Sequence, residues 1–310
     1  MKGAALVVVV LLFGCDGRHS DDAARDDQIE SLDISPDDKH VLLLSSRNAT
    51  TSIFEINADG GSPRLIMKSG SDELFSNPRY SPDGKKMVFI KHFKSKFWMG
   101  AVCVSNLDGT GVEELTQGGE FVTEALFSAR GSEVFYCSSQ QYNTSKTKGT
   151  TTVRGFDIYT INLADRKVTR LSNLNAPGID NLTEINDKYL LFHLNGAKRS
   201  GIFSFEKENP ARVLRIFPAN GTQESSLLDK PGFVPDKFIV FTALYELYAM
   251  NLNTRENTLI YDAKGGHLIE LLKGFHTRSS VLFKKFDEPK LTTINTNGTG
   301  MRSVDVEFPD

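Results

Sequence analysis

The sequence predicts an all-β chain, folded as a six-bladed β-propeller of four-stranded antiparallel blades, on three observations. A tight-turn signature recurs at Ser35, Ser81, Ser128 and Val234 within a period of roughly 40 to 50 residues, the spacing of propeller units. Each copy is followed by an apolar run of strand length; two further runs, Tyr189 to Leu194 and Val281 to Phe283, fit the series without the proline turn, and in five of the six units a later strand closes on an asparagine. The 25 glycines and 11 prolines fall at turns between these runs rather than in one low-complexity tract, which marks many short strands. With 39% hydrophobic residues, 24% charged residues and a net charge of -3, the chain can bury a core, and nothing in its charge balance calls for a nucleic-acid partner.

The first element is an export signal. Met1-Lys2-Gly3 gives a positive start, and Ala4 to Phe13 has no polar member. That run is too short to span a bilayer of about 30 Å as a helix and reads as a signal-peptide core over residues 1–14. It ends in Leu12-Phe13-Gly14-Cys15, which resembles a bacterial lipobox with Cys15 as the lipidated residue, although Phe13 departs from the small or β-branched residue usual there. Residues 15–28 are polar, acid-rich and without apolar period, as expected of a flexible tether. The predicted location is the periplasmic face of the cell envelope, lipid-anchored through Cys15.

The propeller is predicted over residues 29–310. Blade one carries the turn Ser35-Pro36-Asp37-Asp38-Lys39, the run Val41 to Leu44, the closing Asn57 and an outer strand Arg64 to Met67. The turn is tight because proline presets φ at its first corner, aspartate caps it and glycine suits its exit. Blade two repeats it as Ser81-Pro82-Asp83-Gly84-Lys85, with Met87 to Ile90, Asn106 and Val112 to Leu115. Blade three has the degenerate turn Ser128-Ala129-Arg130-Gly131-Ser132, then Val134 to Cys137, Asn162 and Val168 to Leu171. Blade four enters through Asn186-Asp187-Lys188 to Tyr189–Leu194; its third strand, Ile202 to Glu206, lacks the asparagine, and Val213 to Phe217 follows. Blade five has Val234-Pro235-Asp236-Lys237, Phe238 to Phe241, Asn251 and Thr258 to Tyr261. Blade six has Thr277-Arg278-Ser279, Val281 to Phe283, Asn295 and Arg302 to Val306. Within each blade the strands are a, b, c and d, with a lining the channel. Each blade is a complete unit, so ring closure should rest on packing between blades one and six.

Ser81-Pro82-Asp83-Gly84-Lys85-Lys86-Met87-Val88-Phe89 and Asn106-Leu107-Asp108-Gly109-Thr110 resemble the TolB-type propeller repeat. The resemblance runs from about Ile29 to Phe308 and is faint in blades four and six. It implies a six-bladed propeller. The additional α/β domain of TolB, and the α/β-hydrolase domain that prolyl-oligopeptidase-type enzymes add to such propellers, are not expected here.

No catalytic motif accompanies the fold. Gly-x-Ser-x-Gly does not occur, and His19, His40, His92, His193, His267 and His276 show no metal-ligand spacing, so they read as isolated surface or edge histidines. Cys103 and Cys137 can be either a disulfide in an oxidising compartment or two buried thiols.

Binding residues tend to lie on loops carried by a rigid scaffold, and here the b-to-c and d-to-a connections share one face. Blade two offers Lys91-His92-Phe93-Lys94-Ser95-Lys96-Phe97-Trp98, and blade three a long insertion from Gln140 to Arg154 with Lys146 and Lys148. Hairpin connections usually take two to five residues, so this length asks for a reason. Lys91, Phe93, Lys94, Lys96, Phe97, Trp98, Lys146, Lys148 and Arg154 are the predicted partner-binding residues, with aromatic anchors and a basic rim. Glu30, Glu124, Asp180, Asp229 and Glu270 fall four to seven residues before the a-to-b turns; acids converging on an axis repel unless hydrated or bound to a cation. They are the candidate ligands of a divalent cation, although the fold requires no cofactor.

The function expected is that of an exported, lipid-anchored binding or scaffold protein, whose loop face docks a protein or peptide of the cell envelope. The alternative is a metal-dependent propeller enzyme of lyase or lactonase type with its site at the channel mouth.

Overall fold

A computed structural model describes residues 28–96, 99–145, 150–196, 200–219, 228–235, 238–264, 266–286 and 288–308. Blade one is β1 (Gln28–Ile34), β2 (His40–Arg47), β3 (Thr50–Asn57) and β4 (Arg64–Lys68), and blade two is β5 (Glu73–Tyr80), β6 (Lys86–Phe93), β7 (Gly100–Asn106) and β8 (Glu113–Glu114). Blade three is β9 (Phe121–Phe127), β10 (Glu133–Ser139), β13 (Asp157–Asn162) and β14 (Val168–Arg170), with a separate two-stranded ribbon, β11 (Gln141–Ser145) and β12 (Thr150–Arg154), between its b and c strands. Blade four is β15 (Gly178–Ile185), β16 (Tyr189–Asn195), β17 (Gly201–Glu206) and β18 (Asn209–Ile216). Blade five is β19 (Leu228–Val234), β20 (Phe238–Ala243), β21 (Glu246–Asn251) and β22 (Asn257–Asp262), and blade six is β23 (Ile269–Gly274), β24 (Ser280–Lys285), β25 (Leu291–Asn295) and β26 (Arg302–Val304). Every blade is a four-stranded antiparallel sheet in the order a-b-c-d, as predicted.

The repeat residues act locally. In blades one and two the turn serine donates from Oγ to the aspartate two residues on, Ser35 to Asp37 at 2.7 Å and Ser81 to Asp83 at 2.6 Å, and accepts from the backbone five residues on, at His40 N and Lys86 N. Ser128 keeps the second bond, to Glu133 N, after the proline and aspartate are lost. Gly84 and Gly131 hold the left-handed position of this turn at φ 68° and 69°; in blade one that position is Asp38, at φ 61°. The closing asparagines end their c strands and fold the next turn: Asn162 and Asn251 each accept two backbone N–H bonds with Oδ1.

The core lies between blades. Among the described residues six clusters of buried apolar side chains are found, each shared by two neighbouring blades. Phe135, Phe192 and Phe205 join blades three and four, and Leu43, Phe275 and Leu282 join six and one. A sheet face that cannot bury itself is thus buried by the next blade. Cys103 and Cys137 are buried free thiols in different joints; burial pushes the Cys103 thiol up to about 12.

Among the described residues no blade takes a strand from both ends of the chain. Asp38 closes the ring on blade six: one carboxylate oxygen accepts from His276 N at 2.7 Å, and the other from Thr277 N at 2.8 Å and Thr277 Oγ1 at 2.6 Å. Phe308 packs edge-on against Phe54. Gly61 and Val306 form a single parallel bridge, and beside it a Cβ at Gly60 would lie 2.8 Å from the Asp305 carbonyl oxygen.

Candidate functional site

Two regions take up the predicted residues: the channel lined by the a strands, and the b-to-c face at its mouth. Each a strand is bulged where it enters the channel, between Ile29 and Ser31, Ser76 and Arg79, Asp180 and Thr183, Asp229 and Gly232, and Ile269 and Leu271; in blade three the extra residue is Thr123. A bulge re-aims the side chains beside it. Asn77, Asn181 and Lys230 sit in these bulges at φ 47°, 53° and 50°.

The bulges distribute the five predicted acids over three groups. Glu124 is buried and holds Arg79 of blade two at 2.6 Å, both side chains under 10% exposed. The other Arg79 nitrogen donates to the Leu182 carbonyl of blade four at 2.5 Å, and Asn181 N donates to the free oxygen of Glu124 at 3.0 Å. Burial pushes the Glu124 carboxyl up, and Arg79 pulls against it. Arg79 lines two cavities, one of about 70 Å³ beside Glu30, Asn77, Glu270 and Lys273, the other of about 290 Å³ beside Asp33, Tyr80, Phe127, Glu184 and His276.

Glu30 and Glu270 form the second group, at the joint of blades one and six. Glu30 accepts from Ser46, and Glu270 from Lys284 at 2.5 Å; burial, with Glu270 nearby, pushes the Glu30 carboxyl up. Asp180 and Asp229 form the third, with a residue that spacing alone did not single out. His193, buried on β16, brings Nδ1 to 2.9 Å from Asp180 Oδ1 and 3.4 Å from Asp229 Oδ1. It is therefore not the isolated histidine expected, and His92 is also buried, 2.8 Å from Ser76 Oγ. Hairpin counting back from the Ile185–Tyr189 pair puts His193 opposite Asn181; the one-residue bulge shifts the partner to Asp180.

On the b-to-c face the predicted binding residues have separate fates. Lys91 is spent inside its blade, on Glu114 at 2.5 Å and Glu73 at 3.3 Å. Lys94 donates to the Ala49 and Ser71 carbonyls at 2.9 and 3.0 Å, tying blade two to blade one. Lys96 and Lys91 lie over the Phe93 ring at 4.7 and 5.1 Å. Arg154 ends β12 and is exposed. Phe97, Trp98, Lys146 and Lys148, like Cys15 and the signal and tether segments through residue 27, lie outside the described residues. The blade-three insertion is the β11–β12 ribbon, paired from Gln141–Arg154 to Ser145–Thr150. Five residue pairs past the blade make it about 16 Å long. Tyr142 on it packs on Phe121 and stays 51% exposed. No helix among the described residues is long and apolar enough to cross a membrane.

No protein-family model and no curated protein sequence matches the chain. Among solved structures, TolB from Acinetobacter baumannii is similar, with a TM-score of 0.64 at 17% identity over 88% of this chain and 62% of that one. A putative TolB from Agrobacterium tumefaciens gives 0.52 at 16% identity over 90% and 81%. An oligogalacturonate lyase in complex with manganese gives 0.58 at 10% identity over 90% and 77%. The chain thus spans about three fifths of the length of the Acinetobacter protein. These likenesses establish a TolB-like six-bladed propeller fold.

Proposed function

We propose that this chain is an exported binding and scaffold protein, anchored through Cys15 on the periplasmic face of the cell envelope, whose b-to-c face docks a protein or peptide. The observation that carries the reading is the β11–β12 ribbon. A blade needs only a short b-to-c turn, and this one is extended into a hydrogen-bonded hairpin with Tyr142 half exposed near its base. A surface ordered before binding loses less entropy on association than a loose loop would. The neighbouring connection of blade two is likewise held down, by Lys94 and by Ser95 on Asp72. Phe97 and Trp98 follow directly and serve as the aromatic anchors. Likeness to TolB supports the binding role, and fold alone never fixes it.

Pull-down from envelope membranes tests the reading with the intact lipoprotein and two variants, one with residues 144–151 replaced by Asn-Gly and one carrying Phe97→Ser with Trp98→Ser. The native chain should retain a partner that both variants lose while melting as it does. Equal retention by folded variants rejects the face. Cys15→Ala should leave the membrane fraction; unchanged partition and no acylated Cys15 peptide by mass spectrometry reject the anchor.

A further inference from the structure

We propose that Asp180, His193 and Asp229 form a site for a first-row divalent transition-metal ion at the channel mouth, between blades four and five. The proposal stands apart from the docking reading. Among the described residues this is the one place where three His, Cys, Asp or Glu side chains bring ligand atoms within 4.8 Å of one another. Ions of this class bind nitrogen and oxygen at about 2.0–2.2 Å. Three such ligands around one centre stand about 3 to 4 Å apart, close to the 2.9 and 3.4 Å from Nδ1 to the two carboxylates.

The three ligands are held differently, and the difference suits a metal. His193 lies on strand b of blade four with its side chain 8% exposed, so its ring is fixed by packing. Asp180 and Asp229 occupy the same place in successive blades, each the last paired residue before the bulge of its a strand. The ring repeats the carboxylate one blade on, and both keep more than a third of their side chain open to solvent. Water or a ligand's oxygen atoms can complete the shell from that side.

Simple ion pairing explains the cluster less well. Asp229 already has a cation, Lys230, 2.8 Å from its Oδ2 and donating to Oδ1 from the backbone at 2.6 Å. A second carboxylate from another blade still converges on the same imidazole nitrogen, and like charges at that range repel. A divalent ion neutralises both, taking the Nδ1 lone pair while the proton there leaves to water. One imidazole with two carboxylates favours zinc, cobalt or manganese over calcium and magnesium, whose preferred ligands are all oxygen. Lys230 is the resident competitor.

Cobalt(II) titration of the purified chain, read by visible absorption and calorimetry, tests the site. Saturation should occur at one ion per chain, with zinc competing and calcium and magnesium at least tenfold weaker. His193→Gln and Asp229→Asn should each weaken cobalt at least tenfold, since even loss of a group that only orients a ligand costs about 10- to 100-fold. Lys230→Met, which removes no ligand, should tighten it severalfold. Absence of saturable binding to the native chain overturns the proposal. So does cobalt binding that survives at native affinity in folded His193→Gln or Asp229→Asn, and so does calcium binding as tightly as cobalt.

Discussion

Glu124 and Asp180 stand on neighbouring a strands, both beside a bulge and both holding a nitrogen base, yet their surroundings differ. Glu124 and Arg79 are enclosed: each carboxylate oxygen has a donor, and Arg79 spends a second nitrogen on the Leu182 carbonyl. Asp180 and Asp229 face the channel mouth with a shared histidine and room on the solvent side. The same chemistry therefore has two outcomes. An enclosed pair with both carboxylate oxygens bonded fixes the relation of three blades, whereas the two aspartates that share His193, one of them also holding Lys230, keep a side open to solvent. Burial separates them, not residue type.

Removing one partner of the enclosed pair should have the largest effect. Arg79→Ala leaves a buried carboxylate without its cation and should cost about 3–5 kcal/mol, while Arg79→Met with Glu124→Leu should recover most of that. Denaturant melts of the three proteins check this; a single variant as stable as the native chain would erase the distinction between the regions.

The next test uses Lys273, which faces the same pair. Burial, with Arg79 adding to it, pushes its ammonium down from 10.5 to about 8, against Asp33 and Glu124. The folded chain thus gives up this proton earlier than the unfolded chain. Above pH 8 the unfolded state binds more protons, so stability should rise between about pH 8 and 10.5, by about 1–3 kcal/mol. Lys273→Met should flatten that rise; an identical slope in the variant places Lys273 in water.

The open cluster should respond far less. Asp180→Asn is expected to cost no more than about 1 kcal/mol, the range of solvent-exposed ion pairs, measured by the same melts without metal. Smallest of all should be Tyr142→Ala on the ribbon, at about 0.5 kcal/mol or less. A large loss there would turn the ribbon from a docking feature into part of the fold.

The repeat was legible because its signals are local. Ser35-Pro36-Asp37 and Asn57 act on backbone within five residues of themselves, so four turns, six apolar runs and five closing asparagines could be counted along the chain. The clusters were not legible because they depend on register and on the neighbouring blade. The bulge beside Asp180 moves the partner of His193 by one residue, and no residue type announces it. Arg79 reads as one more charged residue until blades three and four are placed against it. Lys91 looked like a rim lysine because Glu114, its partner on the outermost strand, lies 23 positions on. Asp38 did carry a signal: it stands where blades two and three have glycine, and a non-glycine residue at positive φ asks for a reason, here its bonds to His276 and Thr277.

The seam between blades six and one is made as the other joints are, by faces and side-chain clasps, and among the described residues no sheet draws strands from both ends of the chain. The order in which blades occur along the polypeptide is therefore separable from the order in which they stand in the ring. A circularly permuted chain, opened between β8 and β9 and joined through its native ends, would keep all six sheets and all six joints whole. It would arrive at the same ring.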